Sequence, residues 1–327
     1  MANVQLLNPR EYIADAAKEA RSATHRIVLL AMVIADHPAT HEFIEALLDA
    51  TKRGVKVYVA ADVFTYGEVS GSFLPLLYFS VPGRSVSNMG KKLREAGVSF
   101  RWLGRERMLI MSGRTHSKWC IVDDTVYSFG GVNAYQDGIE NVDFMLRVRS
   151  KKLADELFAE HLDLALADRY GRLRKSHLFD FGNDHILVDG GILGNSIIYS
   201  RACDLASSAK SVTFVSQYPP TSKLSKILRS KKSKLYFNPP ENASFINSLV
   251  IRFSMLRNNV KTVYKKHQYL HAKFIIFYMP DGSRVALTGS HNFNYTGVLL
   301  GTREIALETR DPKIIDQLEN FLITKVI

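Results

Sequence analysis

Two stretches decide how this chain reads: Thr115-His116-Ser117-Lys118-Trp119-Cys120-Ile121-Val122 and Leu270-His271-Ala272-Lys273-Phe274-Ile275-Ile276-Phe277. In each, His-x-Lys runs into an apolar strand and a turn, Asp123-Asp124-Thr125 or Pro280-Asp281-Gly282, whose residues suit a β-hairpin. The returning strand ends in Gly130-Gly131-Val132-Asn133 or Gly289-Ser290-His291-Asn292, and an acidic residue follows each, Asp143 and Glu304. The two histidines are 155 residues apart. One His-x-Lys arises easily by chance among 10 histidines and abundant lysine; two copies at the same place in a longer repeat do not.

The repeat extends outward from these stretches. Helix-like Pro9 to Ala23 and strand-like Ile27 to Ile34 match Ser196 to Ala209 and Val212 to Ser216, with Asp36-His37-Pro38-Ala39-Thr40 and Gln217-Tyr218-Pro219-Pro220-Thr221 following. Next come Phe43 to Lys52 with Val55 to Ala61, and Leu224 to Leu228 with Lys234 to Phe237. A third helix-strand pair reads as Met89 to Ala96 with Val98 to Leu103, and as Phe245 to Arg257 with Val260 to Tyr264. Strands alternating with helices predict an α/β layered fold.

Composition narrows the class. A chain of 327 residues with 46% hydrophobic and 23% charged residues is that of a folded protein of about two domains. No apolar run approaches the ~20 residues that span hydrocarbon, and the N-terminus lacks the pattern of a secretory signal. The expectation is a cytoplasmic protein, with peripheral attachment to a membrane left open. Cys120 and Cys203 form no CxxC pair, so they read as buried hydrophobes rather than as a disulfide or zinc framework. A net charge of +11 favours anionic partners: nucleic acid, anionic headgroups or phosphorylated substrates.

Residues i and i+2 of a strand share a face, so His116 points with Lys118 and His271 with Lys273. Glycine at the hairpin ends lets the backbone approach a ligand, and Asn133 and Asn292 supply amide donors. Ammonium and amide donors suit the non-bridging oxygens of a phosphate, and two histidines can divide the work of nucleophile and general acid. The plain alternative is two buried core histidines that happen to precede lysines; the repeat argues against it.

These residues resemble the phospholipase D superfamily, whose signature is two copies of His-x-Lys, then Asp, then Gly-Ser or Gly-x-Asn. The resemblance covers essentially the whole chain. It implies a phospholipase D-like fold: two similar α/β halves, residues 1–170 and 171–327, with mixed sheets flanked by helices and a pseudo-twofold placing the active site between them. It also implies a two-step, metal-independent reaction through a phosphohistidine, with no cofactor, and a single chain that suffices for a complete site. By that analogy His116 attacks phosphorus, and His271 protonates the leaving group and then activates the acceptor. Glu304 would orient His116 and Asp143 would orient His271, while Gly131, Ser290 and Asp123 would support the phosphate site. One departure stands out: Asp123 lies five residues after Lys118, but Tyr278 lies five after Lys273, and the second His-to-Asn spacing is 21 residues against 17.

The substrate is less constrained. The first half carries about 26 extra residues between Val63 and Asn88, including a Pro-broken apolar segment flanked by Gly67, Gly71 and Gly83. Read as a loop, it makes Phe73, Leu74, Leu76, Leu77, Tyr78 and Phe79 candidates for lipid contact; packing on the protein's own core is the equal alternative. Basic residues gather at Lys223, Lys226, Arg229, Lys231, Lys232 and Lys234, and at Lys261, Lys265, Lys266 and His267. The leading expectation is a phospholipid-processing enzyme, either a phospholipase D-type hydrolase or a phosphatidyltransferase like cardiolipin and phosphatidylserine synthases, with a phospholipid or anionic membrane surface as partner. A nuclease or nucleic-acid phosphodiesterase of the same superfamily is the alternative, and a non-catalytic binding module is a third. Against the second, the lysine cluster lacks interleaved stacking aromatics. Gly190-Gly191-Ile192-Leu193-Gly194 fits neither dinucleotide nor P-loop spacing, and no His/Cys/carboxylate cluster has metal-ligand spacing.

Overall fold

The computed structural model describes residues 4–71, 79–104 and 113–327. In the first half the order is β1 (Val4–Leu7), α1 (Pro9–Ser22), β2 (Arg26–Ala31), α2 (His41–Lys52), β3 (Lys56–Asp62), α3 (Phe64–Ser70) and α4 (Val81–Glu95). It continues with β4 (Ser99–Leu103), β5 (Trp119–Val122), β6 (Thr125–Ser128), α5 (Gln136–Glu140), β7 (Met145–Arg149) and α6 (Lys151–Arg169). The second half has β8 (His177–Phe181), β9 (Asp184–Gly190), α7 (Ile197–Ser208), β10 (Ser211–Val215), α8 (Ser222–Arg229), β11 (Lys232–Tyr236) and α9 (Phe245–Asn258). After these come β12 (Phe274–Tyr278), β13 (Arg284–Gly289), α10 (Tyr295–Leu300), β14 (Arg303–Thr309) and α11 (Pro312–Phe321).

Each half is one seven-stranded mixed sheet, ordered β1-β7-β6-β5-β2-β3-β4 and β8-β9-β14-β13-β12-β10-β11. In strand order β1, β7, β6, β5, β2 and β3 correspond to β9, β14, β13, β12, β10 and β11, and the two orders differ at their edges, where β4 is particular to the first sheet and β8 to the second. The α/β expectation, with two similar halves, is met. Central strands such as β5 and β6 are buried at every residue, as expected for sheets covered on both faces. One hydrophobic core crosses the boundary between halves: Phe144 of the first packs 6.0 Å from Phe274 of the second, and both meet Phe321 of α11, at 5.0 and 6.3 Å. Gln317 of α11 also ties to the opposite sheet edge, accepting the Leu6 N–H at 2.7 Å and donating to the Val4 carbonyl at 3.1 Å.

Two sequence expectations need correction. Val260 to Tyr264 is not a strand. The segment runs beside β11 and bonds to it through the Val263 N–H and the Leu235 carbonyl at 2.9 Å, but just past β11 the Thr262 side chain takes over from the backbone, its hydroxyl accepting the Phe237 N–H at 3.0 Å and donating to the Phe237 carbonyl at 2.6 Å. The described part of the insert is not loop but helix, in α3 and α4. Pro82 occupies the first turn of α4, where its missing N–H costs nothing, and Ser80 caps that turn by accepting the Gly83 N–H at 3.0 Å. Phe73, Leu74, Leu76, Leu77 and Tyr78 lie outside the described residues; Phe79 is exposed. Cys120 and Cys203 are buried free thiols.

Candidate active site

The motif residues sit just ahead of β5 and β12, where each half is stitched to the other. Thr115 bridges Arg303, and the His116 and Ser117 N–H groups both donate to the Arg303 carbonyl, at 2.8 and 3.0 Å. The mirror contact has Leu270 bridging Val142, with the His271 and Ala272 N–H groups both donating to the Val142 carbonyl at 2.9 Å. A buried Arg114–Asp62 ion pair of 2.9 Å steadies the first approach, and Asp62 also accepts the Thr115 N–H. This stitching places each histidine against the acid of the other half. His271 Nδ1 lies 2.6 Å from Asp143 Oδ2, and His116 Nδ1 lies 3.3 Å from Glu304 Oε1. A carboxylate on Nδ1 fixes the tautomer that leaves Nε2 free for chemistry.

Each lysine folds back on its own histidine: Lys118 Nζ donates to the His116 carbonyl at 2.7 Å, and Lys273 Nζ to the His271 carbonyl. An ammonium has three donors, so each keeps protons for an anion. Both are buried, and the charges form one field. Burial, opposed by Glu304 and Asp143, lowers the Lys118 pKa, and burial with the Lys118 charge pushes Lys273 down to about 7. Burial and the charge of Lys273 push His271 down to about 4. Burial would raise both acids, but His271 keeps Asp143 below its usual range, and His116 with Lys118 brings Glu304 to about 2.

The hairpin ends bring in the remaining expected residues. Gly130 and Gly289 press so closely on the neighbouring strand that a Cβ would fall 1.8 Å from the Phe144 carbonyl oxygen and 2.1 Å from that of Ile305. The Gly131 N–H donates to Asp143 Oδ1 at 3.2 Å, whereas the Ser290 hydroxyl donates to Glu304 Oε2. Asn133 Oδ1 accepts the Val33 N–H at 3.3 Å, which orients the amide and leaves its Nδ2 donors for a ligand; Asn292 is buried at the matching position. Asp123 is elsewhere. It sits at the far tip of the β5–β6 hairpin and accepts from the Thr24, His25 and Arg26 N–H groups at 2.9 to 3.0 Å, so it fastens the turn to the start of β2 and touches no site residue.

Sequence reading missed several neighbours. His291 is buried within the field of His116 and Glu304, and burial pushes it down to about 4. Its Nδ1 accepts the Phe293 N–H at 2.7 Å, so its proton is on Nε2. Its place between Ser290 and Asn292 was the signal. Glu68 of α3, whose pKa burial raises, lies close enough to His116 to interact with it electrostatically and accepts from the Tyr135 hydroxyl at 3.4 Å. Tyr218 and Tyr269 share a hydrogen bond and feel Glu68 in turn, and Gln217 donates to the Tyr269 hydroxyl at 3.0 Å. No local pattern joins Glu68 to Tyr135, Tyr218 and Tyr269; the fold brings them together.

Residues 17–162 and 204–324 match the family described as "Cardiolipin synthase, PLD-like domain". Among curated proteins none matches the chain in sequence. Of solved structures, the phosphatidylserine synthase of Haemophilus influenzae Rd KW20 is similar in fold, with TM-score 0.73 at 14% identity over 100% of this chain and 88% of that one. The polyphosphate kinase of Porphyromonas gingivalis also shares the fold, with TM-score 0.63 at 10% identity over 97% of this chain and 46% of that one. Each family segment covers one His-x-Lys and the carboxylate that serves the histidine of the other half, Asp143 in the first segment and Glu304 in the second, and the chain belongs to the phospholipase D superfamily of enzymes, in its cardiolipin synthase-type PLD-like family.

Proposed function

We propose that this enzyme processes phospholipids through a covalent phosphohistidine, by phosphatidyl transfer or phospholipase D-type hydrolysis. The observation that carries the reading is the pair of histidines, each with Nδ1 on a carboxylate of the opposite half and each beside a buried lysine. Lys118, Lys273 and the Asn133 and Asn292 amides grip the non-bridging oxygens. Nε2 of one histidine attacks phosphorus and the bond to the leaving oxygen breaks, while Nε2–H of the other gives that oxygen its proton. The second histidine, now neutral, takes the proton of an incoming hydroxyl, whose oxygen displaces the first histidine from phosphorus. Preorganised donors in a buried site stabilise the charge that builds on the phosphoryl oxygens.

The family resemblance assigns the attack to His116. A specific observation favours the reverse assignment: His271 Nδ1 lies 2.6 Å from Asp143, against 3.3 Å between His116 and Glu304, and burial biases the His271 ring toward the neutral form a nucleophile needs. Lipid is favoured over nucleic acid by the family match and by the exposed apolar surface described below. The deciding experiment incubates wild type and each histidine-to-alanine variant, in EDTA, with mixed phospholipid vesicles plus glycerol and, separately, with single- and double-stranded DNA and RNA, reading products by mass spectrometry. Histidine-dependent headgroup release or exchange is the expected result, and the adduct-bearing histidine identifies the nucleophile. Cleavage of oligonucleotides without any lipid turnover would overturn the proposal.

A further inference from the structure

Helix α9 is amphipathic in the inverted sense. At about 100° per residue, Phe245, Ile246, Leu249, Val250, Phe253 and Leu256 share one arc of roughly 140°. All six are exposed, from 46% at Val250 to 82% at Leu256. Polar side chains face inward instead: Asn247 Oδ1 accepts from the Tyr218 hydroxyl at 3.0 Å, and Asn258 Oδ1 accepts the Ser222 N–H at 2.9 Å and the Ser225 hydroxyl at 3.0 Å. Ile251 is the one buried residue of α9. An ordinary surface helix turns its apolar stripe to the core.

The rim of this face is basic. α9 contains Arg252 and Arg257 and no Asp or Glu; the Arg257 guanidinium lies 6.0 Å over the Phe253 ring. α8 packs against α9 and exposes Lys223, Lys226 and Arg229, and Lys261 and Lys265 are exposed in the segment that leads from α9 to His271. The nearest acidic residue in sequence is Glu241, in the short turn before the helix. Position ties the face to the site. Tyr218, which holds Asn247, belongs to the tyrosine cluster around Glu68. In the first half the matching place, between β3 and His116, holds α3 and α4 with Phe79 and Val81 exposed at 73% and 72%.

We propose that α9 is a membrane-docking helix that sets its six apolar side chains into the interface of an anionic bilayer, while the α8 and post-α9 lysines meet the phosphate headgroups. The inference deepens the lipid-processing reading and rests on it. Charge selects this occupant: a second copy of a +11 chain would bring like charges face to face, and a nucleic acid would leave the apolar arc wet.

The test is flotation of the full chain with vesicles of phosphatidylglycerol and phosphatidylcholine, and with phosphatidylcholine alone. The variant Leu249→Ser/Phe253→Ser changes two exposed side chains and is checked by thermal melting, and turnover of a monomeric short-chain phospholipid is measured beside turnover of vesicles. Expected are flotation that needs the anionic lipid and weakens with salt, a loss of about tenfold per removed side chain in the variant, and unchanged turnover of the monomeric lipid. Lys223→Gln/Lys226→Gln should weaken flotation while flattening its salt dependence. Equal flotation of variant and wild type would overturn the inference, as would a wild-type dimer that the variant converts to monomer. Turnover of the monomeric lipid without flotation sinks the docking helix and spares the enzyme reading; flotation without any lipid turnover does the opposite.

Discussion

Asp143 and Glu304 face the same task in the two halves and are held in different ways. Asp143 is short, and backbone holds it: the N–H groups of Gly131 and Phe144 both donate to Oδ1, at 3.2 and 2.8 Å, and Oδ2 reaches His271 at 2.6 Å. Glu304 is one methylene longer and is held by hydroxyls, Ser290 on Oε2 and Thr302 on Oε1 at 3.1 Å, with His116 at 3.3 Å. Side chain and support have changed together. Gly131 has no room for the serine its counterpart carries, since a Cβ there would stand 2.6 Å from Asp143 Oδ2 and 2.9 Å from the His271 carbonyl oxygen. The repeat preserves where charge is placed and lets each half choose how to place it, which gives the two histidines unequal carboxylate contacts, 2.6 Å for His271 and 3.3 Å for His116.

That inequality can be broken experimentally, beginning with the histidines themselves. His116→Ala and His271→Ala should each lower turnover of a natural phosphodiester by at least about 10³. With a nitrophenyl ester, whose leaving group needs no proton, the variant lacking the acid should still form the covalent adduct and the variant lacking the nucleophile should not; mass spectrometry of the quenched protein tells them apart. Equal adduct formation in both would mean that the halves are interchangeable.

The carboxylates come next. Asp143→Asn should cost roughly 10² to 10⁴ in kcat, and Glu304→Gln less, because the His271 contact is the shorter of the two. A larger loss in Glu304→Gln would reverse the ranking.

Lys273 should write the alkaline limb of the pH profile. With its pKa pushed down to about 7, it loses its charge, and its grip on phosphate, as pH rises through that value, so kcat/KM should fall about tenfold per unit above it. Lys273→Gln should remove that limb, at lower activity throughout, and Lys118→Gln should retain it. Stability should move the other way: between about 7 and the ordinary lysine value near 10.4 the unfolded chain binds the extra proton, so the fold gains stability with rising pH there. A melting curve that falls across this interval in wild type relative to Lys273→Gln would contradict the assignment.

Exchanging the supports gives smaller effects. Gly131→Ser should destabilise the fold by about 1–3 kcal/mol and displace Asp143, through overpacking. Ser290→Gly should cost about 1–3 kcal/mol for the bond lost to a buried carboxylate, with turnover reduced roughly tenfold. Smallest in activity is Asp123→Ala, which unfastens a turn far from the histidines: the melting temperature should drop by a few degrees and kcat should hold.

Much of this was legible because it is periodic and local. The two His-x-Lys segments, the hairpins behind them and the helix-strand alternation are short-range patterns, and their duplication raised them above chance. The register of the first two helix-strand pairs could be read for the same reason. Val260 to Tyr264 could not, because its apolar β-branched residues look like a strand, while in the fold the Thr262 hydroxyl takes up the Phe237 backbone groups where a ladder would continue. Pro82 misled in the opposite direction: a proline that breaks a helix interior is welcome in a first turn, and no local rule says which place it occupies. α9 reads in sequence as an ordinary core helix, since hydrophobic period reports amphipathicity and not which side faces the core.

Composition and short-range periodicity need no partner to be meaningful, so the inventory is readable from the chain alone: duplicated halves, two histidines with lysines and asparagines at fixed spacings, and a strong positive charge. Only the fold shows the distances at which Asp143 and Glu304 meet the histidines of the opposite half, that His291 and the Glu68 tyrosines lie beside them, that burial pushes His271 and Lys273 toward their neutral forms, and that α9 turns its apolar arc outward. Those are properties of burial and of contacts between segments more than a hundred residues apart, and a linear pattern contains neither the dielectric around a charge nor the partner across an interface.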